Sequence, residues 1–362
     1  MNRLPVELLQ EFMQTVFTRI GVSEEDAAVC AEVLIASDLK GIESHGIGRL
    51  KMYYDRIKAG IQNPITKIDV IRDKYATAVW DGNHGMGHVI GKKAMQSAID
   101  KAGQYGLGSV AVRNSTHYGI CGFYAEMATK QNMIGLTFTN ARPSICPTHG
   151  VSPLLGTNPI CFGAPTDLPY PFLYDAATSI SQRGKVEQYA REEKETPAGW
   201  AIDLDGKPYT DTQKLLVDLV KQKASMLPIG GTEELTGSHK GYGLGTMVEI
   251  LCASLQDGSY LNGLLGQDAQ GNPAPYCLGH FFMAINIDFF TDLDSFKKTT
   301  GAICRELQHS QLFPGQDRIY VAGEKEYEIE QLVRSKGVPI IPNLQKAIEI
   351  MQQELSLKMI RL

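Results

Sequence analysis

Apolar residues in the first sixty positions recur every three or four places. Leu8, Leu9, Phe12, Val16, Phe17 and Ile20 trace one helix face, and Gly21 follows as a stop. Ser23 ahead of Glu24, Glu25 and Asp26 reads as an N-cap with an acidic first turn, opening a second helix over 27–39. Pro64 closes this region. From residue 68 the pattern shifts to strand character over 68–72 and 76–80, with a turn signal at Asp81-Gly82-Asn83. Helical spacing returns over 88–105 (Val89, Ala94, Ala98, Ile99, Ala102) and ends at Gly106-Leu107-Gly108. A short apolar strand over 109–112 follows, and a helix over 123–131 leads into a strand over 134–139.

Between about 140 and 240 the chain is rich in Pro and Gly, with short strands expected at 159–162 and 172–174. The polar stretch 187–196 predicts a solvated helix or loop. A strongly apolar helix is expected over 243–254, a buried strand over 279–288 and an amphipathic helix over 293–306; Pro342-Asn343 opens a last helix over 344–355. Strands alternating with helices imply α/β architecture. No internal repeat or low-complexity linker marks a cut. A domain interrupted by another fits a chain of 362 residues at about 150 residues per domain.

Composition narrows the functional classes. Hydrophobic residues at 43% and charged residues at 21% permit a buried core and exclude general disorder. Lys+Arg 35 against Asp+Glu 40 leaves a net charge of −5 without a basic run, which tells against a nucleic-acid partner. Seven cysteines, an odd number without a C-x-x-C pair, argue against a disulfide framework or zinc ribbon and point to a reducing, cytoplasmic setting. The first residues carry no apolar signal core. The most apolar window, 241–266, is interrupted by Glu249 and Asp257, so a buried helix plus loop is expected rather than a membrane span. His84, His88, His149 and His280 lack metal-ligand spacing and no H-E-x-x-H occurs, so no catalytic metal is expected.

Four segments carry chemistry. In Glu43-Ser44-His45-Gly46-Ile47-Gly48-Arg49, an imidazole that exchanges protons near neutral pH stands beside a guanidinium that grips a carboxylate. Such a pair suits a 2-oxo or 2-hydroxy acid; the plain alternative is a helix start with Ser44 as cap. Arg113-Asn114-Ser115-Thr116-His117-Tyr118-Gly119 follows an apolar strand, where α/β ligands sit, and offers His117 as an acid/base; the alternative is a locally satisfied turn. Ser238-His239-Lys240-Gly241-Tyr242-Gly243-Leu244-Gly245 enters an apolar helix. Its amides suit a phosphate and Lys240 suits a point charge or a Schiff base, against close packing through small residues. Gly85-Met86-Gly87-His88-Val89-Ile90-Gly91 imitates a dinucleotide fingerprint, but follows four polar or turn residues rather than the tight turn that motif requires.

Taken in order, these segments resemble the malate/L-lactate dehydrogenase family of NAD(P)-dependent oxidoreductases that lacks the Rossmann fold. Relatives include ureidoglycolate and sulfolactate dehydrogenases, diketogulonate reductase and a cyclic ketimine reductase. The matching stretches are Ser44-His45-Gly46 with Arg49, the 113–119 segment, Gly156-Thr157-Asn158-Pro159, Asp175-Ala176-Ala177-Thr178-Ser179, Leu227-Pro228-Ile229-Gly230-Gly231 and His239-Lys240-Gly241-Tyr242-Gly243-Leu244. Asn286-Ile287-Asp288 and Ala322-Gly323-Glu324 also fit. The resemblance implies a homodimer and a mixed-sheet, non-Rossmann nicotinamide-binding domain (121–285). This would be inserted in a second α/β domain for substrate and dimerisation (61–120 and 286–362), behind an N-terminal helical region (1–60).

By the same resemblance NAD or NADP is the cofactor, contacted by Asp175, Ala176, Ala177, His239, Lys240 and the turn Ala322, Gly323, Glu324. That turn is usually Pro-Gly-Glu, so Ala322 is a departure. Ser44 and Arg49 would hold the substrate carboxylate, and His117 or His45, with His117 ahead, would move the proton. Arg142 stands near a proposed pocket segment and would meet a second carboxylate, which favours malate and oxaloacetate. The alternatives are a reductase of a related 2-oxo acid, diketo acid or cyclic ketimine and, from another class, a lyase using a Lys240 Schiff base.

Overall fold

A computed structural model describes residues 2–357. Asn2–Leu4 (β1) precedes Val6–Arg19 (α1) and Glu24–Leu39 (α2), which form where the three-and-four spacing predicts. Gly21 takes φ 98°, and Ser23 Oγ accepts from the Asp26 amide at 3.2 Å, the cap its sequence announces. A single turn at Ile47–Arg49 leads into Leu50–Lys58 (α3). Asp69–Lys74 (β2) and Thr77–Asp81 (β3) come next, then Gly87–Tyr105 (α4), stopped by left-handed Gly106. Leu107–Ser115 (β4), Cys121–Thr129 (α5), Met133–Thr139 (β5), Ile160–Ala164 (β6) and Phe172–Ala176 (β7) continue the alternation.

An excursion contains Arg183–Arg191 (α6), Ala201–Asp203 (β8), Thr212–Val220 (α7) and Ala224–Met226 (β9), gathered on their own apolar cluster of Val186, Leu215 and Met226. Ser238–Ala253 (α8), Leu278–Asn286 (β10), Leu293–Gln308 (α9), Glu324–Lys336 (α10), Val338–Ile340 (β11) and Pro342–Glu354 (α11) complete the chain.

One seven-stranded sheet, in the order β2-β3-β4-β10-β5-β6-β7, organises the middle of the molecule. Within this sheet β3 and β4 run parallel and the other neighbours antiparallel. The mixed α/β architecture therefore differs from a doubly wound parallel sheet. β10 lies at the centre, and its run Phe281-Phe282-Met283-Ala284-Ile285 is apolar throughout because both faces are covered. Phe282 and Ala284 pack beneath α4 and α5 with Val110 and Val112, whereas Phe281 meets Val248 and Cys252 of α8 on the other face. The central sheet draws strands from both sides of the expected boundaries at 120/121 and 285/286. The N-terminal helices share a core with the far end of the chain: β1 pairs β11, and Ile348 and Met351 of α11 join Leu9, Phe17 and Leu34.

α8 starts at Ser238, five residues before the expected 243. Gly241, ahead of the expected start, lies inside the helix, and a Cβ there would stand 2.2 Å from the Ile229 carbonyl oxygen. Close packing through small residues thus explains Gly241 without a ligand. The imitation fingerprint resolves likewise: a Cβ on Gly87 would stand 2.2 Å from the Thr116 oxygen and one on Gly91 2.8 Å from the Tyr124 ring.

Candidate active site

Antiparallel pairing brings the ends of β4, β5 and β7 and the beginnings of β10 and β6 to one edge of the sheet; Ser115 faces Leu278, Thr139 faces His280, and Ile160 faces Ala176. The segments leaving those strands enclose a cavity of about 360 Å³ lined by His45, His117, Asn140, Asp175, Ala176 and Ala177 among others. A second cavity of about 390 Å³ shares His117, Ala141, Thr157 and Leu278 with the first and adds Arg49, Arg56, Arg142 and Arg183. His45, Arg49 and His117, remote along the chain, thus converge.

The two imidazoles stack with centroids 5.4 Å apart and planes 22° apart. Gly119 N donates to His117 Nδ1 at 3.4 Å, and the Tyr53 hydroxyl meets the same nitrogen at 2.5 Å. A backbone N–H can only donate, so Nδ1 is the acceptor, Tyr53 donates too, and the neutral ring carries its proton on Nε2. Tyr53 comes from α3, one helical turn past Arg49, and rests edge-on against His88 with centroids 4.7 Å apart. His88 is fully buried with both ring nitrogens unpartnered among the described residues, and burial pushes it down to about 3.

Behind the His117 loop, Tyr118 stacks on His280 at 4.3 Å. His280 Nδ1 meets Thr139 Oγ1 and Nε2 meets Ser115 Oγ, both at 2.8 Å, tying three strands together. Burial holds His280 down to about 3.

His45 and His117 are half-buried, each with an edge on the cavity. Enclosure by protein, with Arg49 adding to it, pushes His45 down to about 4. Burial first, then His45 and the arginines, drives His117 well below its usual range. Ser44 stands one step back: its hydroxyl meets His45 Nδ1 at 2.8 Å, and its carbonyl accepts from Arg49 Nε at 2.6 Å. Asp38 accepts from the Ile47 amide at 2.8 Å and anchors this turn; burial raises it to about 7.

Asp175 caps α5, accepting from the Gly122 amide at 2.6 Å. Dense protein around it raises its carboxyl to about 6, although its surface opens to the cavity, where solvent opposes the rise. Ala176 and Ala177 continue the same wall. His239 and Lys240 are exposed in the first turn of α8, outside the residues lining this cavity. The Ala322 carbonyl accepts from the Leu173 amide at 3.2 Å, which sets the turn beside β7; Gly323 lines a separate cavity with Lys40 and Glu326. The buried Glu324 carboxylate is held by Arg318, by Gln308 at 2.8 Å and by the Val321 amide at 3.1 Å, so it fixes that turn. Among the described residues no three His, Cys, Asp or Glu side chains gather as a metal site needs.

Tyr53, Arg56, Arg183 and Glu187 were not foreseen. For the first two a signal existed: Arg49, Met52, Tyr53 and Arg56 recur at helical spacing, so a cavity met by Arg49 is also met by its helix neighbours. Glu187 opens the polar stretch 187–196, which reads as a solvated helix or loop, and Arg183 falls outside the segments the sequence singles out.

A mixed-sheet α/β fold with two imidazoles and a guanidinium around one cavity belongs to the enzymes. The family model for malate/L-lactate dehydrogenase matches residues 4–349, and the chain belongs to that family; it is a dehydrogenase, an oxidoreductase. It is 44% identical to malate dehydrogenase of Pyrococcus abyssi over 93% of this chain and 91% of that one. It is 39% identical to L-sulfolactate dehydrogenase of Methanocaldococcus jannaschii over 94% of each. The crystal structure of malate dehydrogenase from Entamoeba histolytica matches with a TM-score of 0.96 at 42% identity, covering 99% of both chains. None of the described helices is long and apolar enough to cross a membrane.

Proposed function

We propose that this chain is an NAD(P)-dependent 2-hydroxy-acid dehydrogenase that interconverts malate and oxaloacetate. The observation that carries this reading is the stacked His45–His117 pair beside Arg49, with Arg142 on the wall of the same cavity. The malate dehydrogenases among its relatives support the substrate pair.

The residues beside Asp175 fit a nicotinamide cofactor: the cavity has ligand dimensions, and Ser181 in its lining keeps a buried hydroxyl without a partner among the described residues. Asp175, Ala176 and Ala177 would hold it there, and His239, Lys240 and the Ala322–Glu324 turn, which lie outside this lining, would meet the rest of the dinucleotide. When bound, the nicotinamide supplies or accepts the hydride. Arg49 grips the substrate carboxylate and fixes the reacting carbon's neighbour. His117 moves the proton at the 2-oxygen: for reduction the resting ring takes a second proton from solvent at Nδ1, where the Tyr53 hydroxyl turns to accept from it, and Nε2 gives its proton to the oxygen; oxidation runs the same steps in reverse, Nε2 of the Nδ1–H ring taking the proton. His45 shields the opposite face of His117 and adds to its positive surroundings. The substrate's negative charge offsets that field on binding, letting His117 take up the proton that reduction consumes.

A homodimer is part of this reading, supported by the apolar Tyr242, Met247 and Ile250 that α8 leaves exposed. The test is a panel of oxaloacetate, sulfopyruvate and pyruvate with NADH and NADPH, followed by nicotinamide absorbance. Oxaloacetate is expected to be reduced fastest. No oxidation of either coenzyme with any 2-oxo acid would overturn the reading. Borohydride trapping at Lys240, an exposed side chain outside the cavity lining, is expected to be negative.

A further inference from the structure

The second part of the cavity holds more positive charge than one carboxylate requires. Arg49, Arg56, Arg142 and Arg183 line it, and Glu187 is the one carboxylate in that lining. Each guanidinium is aimed by a neighbour. Arg49 is fixed to the Ser44 carbonyl, Arg56 lies over the Tyr276 ring at 4.3 Å, and Arg142 Nη2 donates to the Val220 carbonyl at 3.3 Å. Arg183 Nε donates to Glu187 Oε1 at 3.0 Å, and Glu187 Oε2 lies 3.8 Å from Arg49 Nη2. The Glu187 carboxylate therefore spans two arginines inside the cavity. Its helix is seated on the segment that carries Arg49, since a Cβ on Gly184 would stand 3.0 Å from Ser44 Cβ.

We propose that Arg56, Arg142 and Arg183 form a subsite for a second anionic group of the substrate, a carboxylate or a sulfonate, and that Glu187 is an internal anion holding these guanidiniums until that group arrives. This rests on the 2-oxo-acid reading and deepens it. A monoanionic 2-oxo acid is satisfied by Arg49 alone and leaves the other arginines facing one another. Their mutual repulsion is tangible at Arg142, which burial, Arg183 and Arg56 together hold below its usual range. A second anionic group relieves that repulsion, so selectivity for dianions is built into the arrangement of the arginines. Glu187 supplies partial compensation in the meantime, and as a competitor for Arg183 it weakens every anion that follows. Arg183 is bonded to it through Nε alone, a grip that a bidentate carboxylate or sulfonate outmatches.

The experiment compares the wild-type enzyme with Arg183→Gln and Glu187→Gln on oxaloacetate, sulfopyruvate and pyruvate. In parallel, melting temperature is titrated with succinate and with propionate. Arg183→Gln is expected to lose about tenfold more kcat/KM on the two dianions than on pyruvate, through KM. Glu187→Gln is expected to lower KM for both dianions several-fold. Succinate should raise the melting temperature where propionate does not, more strongly in Glu187→Gln and more weakly in Arg183→Gln. A carboxylate-selective subsite responds to oxaloacetate alone and a sulfonate-selective one to sulfopyruvate alone. Equal losses on pyruvate and the dianions in Arg183→Gln, a higher KM in Glu187→Gln, or no succinate shift would each overturn the proposal. If the wild-type chain reduces no 2-oxo acid, the dehydrogenase reading fails, and the succinate arm still decides the subsite.

Discussion

The two parts of the joined cavity are built on opposite principles. At the imidazole end, His45 and His117 are backed by Tyr53, His88, Tyr118 and His280, aromatic rings in mutual contact whose titratable members are kept neutral by burial. At the guanidinium end, four arginines and one glutamate share the wall, and the side chain of Arg183 is 44% exposed. Proton transfer needs a donor whose basicity is set by a fixed, enclosed surrounding, whereas recognition of small anions needs charge that stays ionised in contact with water. Arg49 belongs to both ends: it is held by Ser44 next to His45 and depresses the two imidazoles, and in the proposed function it seats the substrate carboxylate.

Substitutions at the two ends should therefore fail in different ways. The largest effect is expected from His117→Asn, with hydride transfer reduced about 10²- to 10⁴-fold while the melting temperature stays within a few degrees. Unaltered single-turnover rates would remove His117 from the chemistry. Arg49→Lys, at the junction, should raise KM for the 2-oxo acid about tenfold or more and lower kcat less, because the bidentate fork is lost. A loss confined to kcat would move Arg49 to the proton-handling end.

Tyr53→Phe is smaller still, about tenfold or less in kcat/KM, the worth of one hydrogen bond. It has a sign that a packing defect lacks: without the hydroxyl donor to Nδ1 the neutral ring loses support. The acid limb of malate oxidation then moves to higher pH. A limb that stays in place would assign Tyr53 a purely structural role.

The least effect per group is on stability. His88 and His280 titrate at about 3 when folded and near 6.5 when unfolded, and His45 and His117 are shifted the same way. Between those values the unfolded chain binds the extra protons. Their contribution is complete above about pH 6.5 and is lost on acidification, by up to about 1.4 kcal/mol per pH unit for each fully buried ring. Asp38 and Asp175, raised to about 7 and about 6, act the other way, because the folded chain holds the extra proton down to their unfolded values. With His84 lowered and Glu249 raised as well, five imidazoles against three carboxyls leave the melting temperature falling from pH 7 to 5, as measured by scanning calorimetry. A melting temperature that rises over that interval would mean the rings are not held neutral.

Much of this was legible from local pattern. The helix face from Leu8 to Ile20, the Ser23 cap and the Gly106 stop follow from spacing and backbone preference alone, and each is in place. The motif residues His45, Arg49 and His117 were legible as chemistry, and order along the chain joined them to a family. Less legible were relations that no window spans: β1 pairing with β11 across the length of the chain, the three-residue strands β8 and β9, and helices α7 and α10. Gly241 misled because close approach of a ligand and close contact with a neighbouring segment use the same residue for the same reason, the missing Cβ. Glu187 was hidden more thoroughly. An acidic residue four places after an arginine on a polar helix is the commonest surface pattern, and only the folded chain sets it against Arg49.

The account stands most directly on the pH dependence of kcat/KM for malate oxidation, measured in wild type and His117→Asn. A base kept neutral by its surroundings predicts a wild-type profile level from about pH 8 to about 6 with its acid limb below that, and a variant at least about 10²-fold lower throughout. A wild-type limb centred near pH 7, or a variant that follows the wild-type curve, would contradict it.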